Sequence, residues 1–220
     1  MNNSIRVFAP ATVANVCCGY DILGFALNHP GDIVEAKMNN HAGVKISKII
    51  GDNGILPLDS SKNTASVAAM ALLDHLKCND GVEIILEKKM PLSSGLGSSA
   101  ASSVASVVAV NNLLGNPLSD KELLPFALEG EYIACGSYHA DNIGPALLGG
   151  FVLIRSYDPL DIITINYPEE IICVIIHPKI KINTKDARSI LPKNIELNDA
   201  ITQWGNIAGL IAGLEKKDIE

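Results

Sequence analysis

Short apolar runs dominate the first part of the chain, and helical spacing first appears after residue 63. Residues 5–9 are apolar apart from Arg6, residues 33–38 mix apolar and polar positions, and residues 44–49 alternate through Val44, Ile46 and Lys48. All three runs predict strands. Residues 11–27 contain ATVANVCCGYDILG, with too many small and turn-forming residues for an ordinary strand. They read as a loop entering a short helical turn.

Residues 64–76 predict a helix, with Asn63 as N-cap, Val67, Met70, Ala71 and Leu73 near helical spacing, and Asn79-Asp80-Gly81 beyond its end. Residues 82–87 (VEIILE) predict a strand. Residues 98–114 predict a second helix of Ala, Ser and Val, whose narrow surface lets neighbours approach closely. Ser119 and Glu122 form the S-x-x-E capping box of a third helix, carrying Leu123, Leu124, Ala127 and Leu128 as far as Ala134. Residues 136–150 read as a polar, glycine-containing loop. Strands are predicted at 151–155, 162–166 and 171–177, and helices at 186–191 and 198–214. Helices and strands mix without strict alternation, which favours α+β over a doubly wound sheet, with a division at residues 157–159.

Composition narrows the class. Apolar residues make up 48% and charged residues 19%, which supports a sizeable core and excludes a disordered chain. A net charge of −7 argues against wrapping nucleic acid. No apolar run approaches the ~20 residues that span a bilayer, and the opening MNNSIRVFAP lacks signal-peptide architecture, so a cytoplasmic protein is expected. Cys17, Cys18, Cys78, Cys135 and Cys173 are odd in number and form no CxxC pair. They read as reduced thiols, without a disulfide framework or a zinc site.

The sharpest chemical signal is PLSSGLGSSAASSVASVVAV, which follows a predicted strand and opens a predicted helix. Glycines there let backbone approach a phosphate, and a helix N-terminus offers unpaired N–H groups and a favourable dipole. Ser98 and Ser99 stand where a hydroxyl can cap the helix, bind phosphate or coordinate magnesium. The segment is not a Walker loop, because Gly97 stands where that motif has lysine, and it is not G-x-S-x-G. A close-packed turn with a capping serine is the plainer alternative.

Four ordered segments carry a family resemblance. PLSSGLGSSAA resembles the central motif of the GHMP kinases. APATVANVCCGYDILGFAL is similar to the opening of the homoserine kinases within that family, GSYHADNIGPALLGG to their His-x-Asp-Asn segment, and TKDARSILP to their T-x-x-A-R-x-x-L-P stretch. Cys17-Cys18 before Gly19 depart from the usual opening but leave Asn15 and Asp21 in place. Family members are longer and carry a third glycine-rich motif that this sequence does not reach by Glu220. The resemblance therefore implies a GHMP-kinase N-terminal domain over 1–157, with a ribosomal-protein-like α/β fold and a left-handed βαβ unit. A partial ferredoxin-like C-terminal domain is implied over 158–220.

The implied activity is ATP-dependent phosphorylation of the side-chain hydroxyl of L-homoserine to O-phospho-L-homoserine, a step of threonine biosynthesis. ATP and Mg2+ are the implied cofactors. The resemblance places Pro91, Leu92, Ser93, Ser94, Gly95, Leu96, Gly97, Ser98, Ser99, Ala100 and Ala101 around the nucleotide, and Asn63 at the adenine. It puts Ser98 and Glu131 on the metal, Glu131 rather than Glu129 because of its spacing from His139. Asp21 would take the ammonium and Arg188 the carboxylate, with Asn15, His139 and Thr184 on the hydroxyl and carboxylate. Asn15, Asp141, Asn142 and Arg188 make up the implied catalytic set; either Asp141 or the γ-phosphate would accept the hydroxyl proton. Read without the resemblance, Asp21 is a turn residue, Asn15 a loop cap, Thr184 an N-cap, Arg188 a surface cation, and His139 and Glu131 structural or solvated groups. A GHMP kinase for another alcohol, such as mevalonate or shikimate, and a non-catalytic ligand-binding remnant remain alternatives. A homodimer is left open.

Overall fold

The chain opens on a long antiparallel ribbon of two strands, β1 (Ser4–Val16) and β2 (Gly19–Asn39), joined by a tight turn at Cys17-Cys18. The computed structural model describes residues 4–178 and 184–218, apart from the side chains of Cys135, Thr184, Lys185 and Asp186. The ribbon overturns the loop expected over residues 11–27. Its turn-forming residues serve as irregularities inside strands: the register shifts between Pro10 and Thr12 and again between Ala14 and Val16, and Asn15, Cys17 and Asp21 have positive φ. Its small residues leave room for helices. A Cβ at Gly24 would lie 1.9 Å from the carbonyl oxygen of Asp141, so only glycine lets that backbone sit against β2.

Four further strands complete one mixed sheet. They are β3 (Gly43–Ile50), β4 (Gly81–Glu87), β5 (Phe151–Tyr157) and β6 (Leu160–Ile165), in the order β3-β4-β2-β5-β6 with β1 also paired to β2. β3 and β4 run parallel and are connected through helix α1 (Thr64–His75); every other pairing is antiparallel. The turn between β5 and β6 holds residues 158–159, and β6 carries the sheet on to Ile165.

Helices α2 (Ser98–Leu113), α3 (Asp120–Cys135) and α4 (Ala140–Leu148) pack with α1 over this sheet. α2 is buried almost all round, which explains its composition of Ala, Ser and Val. Burying Val104, Val107 and Val110 contributes about 1.5–3 kcal/mol each. Its buried serine hydroxyls stay hydrogen-bonded, as where Ser106 Oγ donates to the Ala65 carbonyl at 2.6 Å. Gly130 of α3 sits at the closest approach, where a Cβ would lie 2.4 Å from Ser103 Oγ and 2.5 Å from the Thr64 carbonyl. The capping box of Ser119 and Glu122 forms as expected.

Two further expectations change. The loop predicted over 136–150 contains α4, whose Gly144 and Pro145 read as breakers in sequence. Gly144 is instead where β5 and β6 press on the helix, a Cβ there falling 3.2 Å from Val152. Residues 171–177 form no strand among the described residues: Ile172, Val174 and Ile176 are 80–86% exposed, and the alternating pattern has no neighbouring strand to complete its hydrogen bonds. Helices α5 (Thr184–Ser189) and α6 (Leu197–Lys216) follow. α6 docks through Ile207, Leu210, Ile211 and Leu214 against Leu23, Phe151 and Ile165.

Candidate active site

The turn between β4 and α2 ends on Gly97, the N-cap of α2, at φ 65° with no side chain to occupy the cap. The first intrahelical bond runs from the Ala101 N–H to the Gly97 carbonyl, so the N–H groups of the preceding turn have no acceptor within the helix. A Cβ at Gly95 would meet nothing within 4 Å, so the loop has open space on that side. Ser94 Oγ is buried without a hydrogen bond. Ala100 and Ala101 are fully buried and pack the first turn of α2 into the core. A turn of this form at a helix N-terminus has the shape of an anion cradle.

Gly97 has a second reason to be glycine. A Cβ there would lie 2.1 Å from Thr12 Oγ1 and 2.8 Å from Asn142 Oδ1. Thr12 is buried, donates its hydroxyl to Asn142 Oδ1 at 2.8 Å, and donates its amide to the Leu96 carbonyl at 3.1 Å. One residue of β1 thus joins the cradle to the start of α4.

Beneath the cradle lies a buried ion pair. Lys88 Nζ meets Asp32 Oδ2, with both side chains at most 2% exposed. Lys88 also donates to the Ser98 carbonyl at 2.8 Å and to Ser102 Oγ at 2.6 Å. Asp32 Oδ1 accepts the Lys89 amide at 2.9 Å, and Oδ2 accepts the Ser98 hydroxyl at 2.9 Å. Burial lowers the Lys88 pKa, opposed by the charges of Asp32 and, more weakly, Glu131. Glu131 is itself only 3% exposed, on α3; Glu129 beside it is exposed and accepts from Tyr138 Oη.

A polar cluster gathers around Asp21 and Arg188. Asp21 Oδ2 and Oδ1 accept from Arg188 Nη1 and Nη2 at 2.8 and 2.5 Å, a bidentate pair about one-third exposed. Asn15 Oδ1 accepts the Asp21 amide at 2.9 Å, holding that positive-φ turn. Tyr20 lies under the Arg188 guanidinium, 5.6 Å from ring centroid to Cζ. His139, 7% exposed, has Nδ1 at 3.4 Å from Arg188 Nη2 and Nε2 at 2.9 Å from Ser137 Oγ. Burial lowers its pKa and the Arg188 charge lowers it further, so the imidazole is neutral at pH 7.

Asp141 is fully buried, and neither of its carboxylate oxygens makes a hydrogen bond. Burial, reinforced by the negative charge of Asp21, pushes its pKa up to about 6. Tyr157 covers the same space, its hydroxyl 3.4 Å from the Asp21 carbonyl. Desolvation, then the Asp141 charge, push that phenol up to about 12.

The structure therefore brings Asn15, Asp21, His139, Asp141 and Arg188 into one cluster, with Asn142 tying it to Gly97 and the cradle. Asn63, expected at the adenine, opens α1. It is 3% exposed, its Oδ1 accepts the Ala65 amide and its Nδ2 donates to the Pro57 carbonyl, so its amide is committed to capping α1. Thr184 opens α5, and its side chain lies outside the described residues. Among the described residues no three His, Cys, Asp or Glu side chains group as a metal cage, and no helix is long and apolar enough to cross a membrane. Sequence reasoning missed Thr12, Asp32, Lys88, Ser102 and Tyr157. Thr12 lay inside the opening motif, and Lys88 has only its place before the glycine-rich turn to mark it.

The family described as GHMP kinases N terminal domain matches residues 63–150. A homoserine kinase from Chloroherpeton thalassium is 54% identical over 223 residues, covering 97% of this chain and 70% of that protein. One from Xanthomonas campestris pv. campestris is 40% identical over 215 residues, covering 98% of this chain and 66% of that protein. The crystal structure of homoserine kinase from Cytophaga hutchinsonii superposes with a TM-score of 0.93 at 55% identity, covering 99% of this chain and 69% of that one. A mevalonate kinase from L. major shares the fold at TM-score 0.58 and 19% identity, covering 77% of this chain and 56% of that one.

Proposed function

From the premise that this chain belongs to the homoserine kinases of the GHMP kinase family, we propose how its residues divide the work of the reaction. The protein is a small-molecule kinase that phosphorylates the side-chain hydroxyl of L-homoserine, giving O-phospho-L-homoserine. Residues 91–101 hold the phosphates of ATP, through the open N–H groups of α2 and the space beside Gly95. The sheet with α1 to α4 carries this nucleotide site, and α5, beyond β6, supplies Arg188.

The observation that carries the reading is the cluster of Asp21, Arg188, His139 and Asp141 within reach of the cradle through Asn142 and Thr12. Homoserine is a zwitterion with a hydroxyl. Its carboxylate takes the two N–H groups of Arg188 and its ammonium takes the Asp21 carboxylate, so one internal ion pair is exchanged for two with the substrate. The pair keeps both charges oriented before the substrate arrives, which limits the ordering cost of binding. Neutral His139 and Asn15 steady the carboxylate end and the Asp21 turn. The buried Asp141 carboxylate accepts a hydrogen bond from the substrate hydroxyl.

During transfer the hydroxyl oxygen forms a bond to the γ-phosphorus as the bond to the β,γ-bridging oxygen breaks. The hydroxyl proton passes to Asp141 or to the transferred phosphate; the loose transition state demands little base assistance. Positioning carries most of the rate, and Thr12 and Asn142 hold the two subsites together. Ser98 and Glu131 would hold Mg2+, a hard cation that accepts two protein oxygens plus phosphate and water, so the lack of a three-carboxylate cage among the described residues does not argue against it. When bound, it neutralises charge on the phosphate oxygens.

The test is 31P NMR of the product formed from ATP with L-homoserine, mevalonate, shikimate or 4-hydroxybutyrate. O-phosphohomoserine should appear, with kcat/KM for homoserine the highest of the set. Equal or better turnover of mevalonate or shikimate would replace the amino-acid reading with the alternative alcohol.

A further inference from the structure

Asp32, Lys88 and Ser102 lie behind the nucleotide cradle, buried and far more elaborately bonded than a turn requires. Asp32 Oδ1 faces the Lys89 and Met90 amides, at 2.9 and 3.4 Å. Asp32 Oδ2 faces Lys88 Nζ, Ser98 Oγ at 2.9 Å and Ser102 Oγ at 3.3 Å. The three ammonium protons of Lys88 have three acceptors in Asp32 Oδ2, the Ser98 carbonyl and Ser102 Oγ. Asp32 is saturated and fully buried, so it cannot itself ligate a cation.

Its contact with Ser98 has a chemical direction. A serine hydroxyl has one proton and two lone pairs, and a hydroxyl that ligates a cation must point its proton elsewhere. A carboxylate can only accept, so the Ser98 proton is turned inward to Asp32 and the oxygen lone pairs are left on the side of the cradle. Lys88 fixes the carboxylate and neutralises it, so the anion does not compete with the nucleotide phosphates above it.

We propose that Asp32, locked by Lys88, is a positioning residue for the metal–nucleotide complex, acting by holding the Ser98 hydroxyl in its ligating orientation. This rests on the reading that Ser98 and Glu131 hold Mg2+. It extends to the buried network the rule that partners of a ligand tune the ligand.

The competing explanation is that the network only staples β2, the end of β4 and α2 together. Asp32→Asn separates the two. Its carbonyl would stay with the Lys89 and Met90 amides, and its NH2 would face Ser98, donating to the oxygen that the cation needs. Asp32→Asn alone strands Lys88 as an unmatched buried charge, so Asp32→Asn/Lys88→Met is made beside it. ATP affinity of the chain is measured by calorimetry in EDTA and again with Mg2+ or Mn2+, together with Tm.

The expected result is that the paired variant keeps its ATP affinity in EDTA and loses about tenfold of the tightening that metal gives. Ser98→Ala should lose the same increment, and adding it to the paired variant should cost nothing further. An unchanged increment in the paired variant overturns the proposal. So does an equal loss with and without metal, or failure of the paired variant to fold while Ser98→Ala is metal-deficient, since each makes the network a staple. If Ser98→Ala and Glu131→Gln both keep the full increment, the metal reading itself falls, a distinct outcome from failure of Asp32 alone.

Discussion

Asp21 and Arg188, 167 positions apart in the chain, grip each other through two N–H···O bonds of 2.8 and 2.5 Å. The resemblance assigned them to opposite ends of a zwitterion; the structure joins them to each other. Arg188→Lys keeps the charge but replaces a fork with a point. It should lower kcat/KM for homoserine by about tenfold to a hundredfold, the equivalent of about 1.5–3 kcal/mol, and leave the KM for ATP within about twofold. Steady-state kinetics with each substrate varied in turn checks this; an equal rise in both KM values would make the pair a fold contact.

Asp21→Asn tests the other end. Removing the carboxylate should reduce kcat/KM for homoserine more than for 4-hydroxybutyrate, which lacks the ammonium. An equal loss for both substrates would mark Asp21 as a turn residue only, held by Asn15.

Asp141 gives a pH signature. Its pKa is raised to about 6, above the ordinary 3.8, so folding binds this proton more tightly than unfolding does. The folded state is therefore favoured by this group at low pH, and that advantage is lost as pH rises from about 4 through 6. Asp141→Asn should stabilise the protein at pH 8 by up to about 3 kcal/mol and by little at pH 4. Urea denaturation at both pH values checks this. Phosphoryl transfer should fall in the same variant, because the hydroxyl loses its anionic acceptor.

The two loop glycines should behave differently. A side chain at Gly97 collides with Thr12 and Asn142, so Gly97→Val should lower Tm as well as ATP binding. The Gly95 position meets no protein atom, and its φ of +75° should make Gly95→Ala cost about 1–2 kcal/mol of stability. Its ATP affinity should drop further than Tm implies, because the methyl enters the space given to phosphate. Calorimetric ATP titration and thermal melts of both variants separate the effects; unchanged ATP affinity in folded Gly95→Ala would remove the phosphate-cradle reading.

Glu131→Gln keeps shape and removes charge. It should raise the Mg2+ concentration required for half-maximal turnover, whereas Glu129→Gln on the exposed face should not. The reverse outcome would move the metal role to the neighbouring carboxylate.

What could be read from sequence followed the scale of the signal. The capping box at Ser119, the Asn63 cap and the α2 segment are local, and all three formed as expected. The ribbon of β1 and β2 was hidden because its Asn15, Asp21 and Gly24 look like loop residues until α4 lies against them. The helix α4 was hidden for the same reason in reverse, its Gly144 and Pro145 suiting a close neighbour and not a turn. Motif order marked Asp21, His139, Asp141 and Arg188. That Asp21 and Arg188 are mutual partners, and that Lys88 is buried, depends on long-range packing that no local pattern carries.

The Thr12 contact has a kinetic meaning. Through hydrogen bonds to the Leu96 carbonyl and to Asn142 Oδ1 it ties the glycine-rich turn to the start of α4, so the proposed donor and acceptor subsites are joined without a hinge. Most of the entropy of bringing the two reactants into register is then spent during folding, so the Michaelis complex begins near its reactive geometry. Thr12→Val fills the same volume without the hydroxyl bond. It would leave each substrate bound nearly as well on its own, and its penalty would fall on the turnover of the two together.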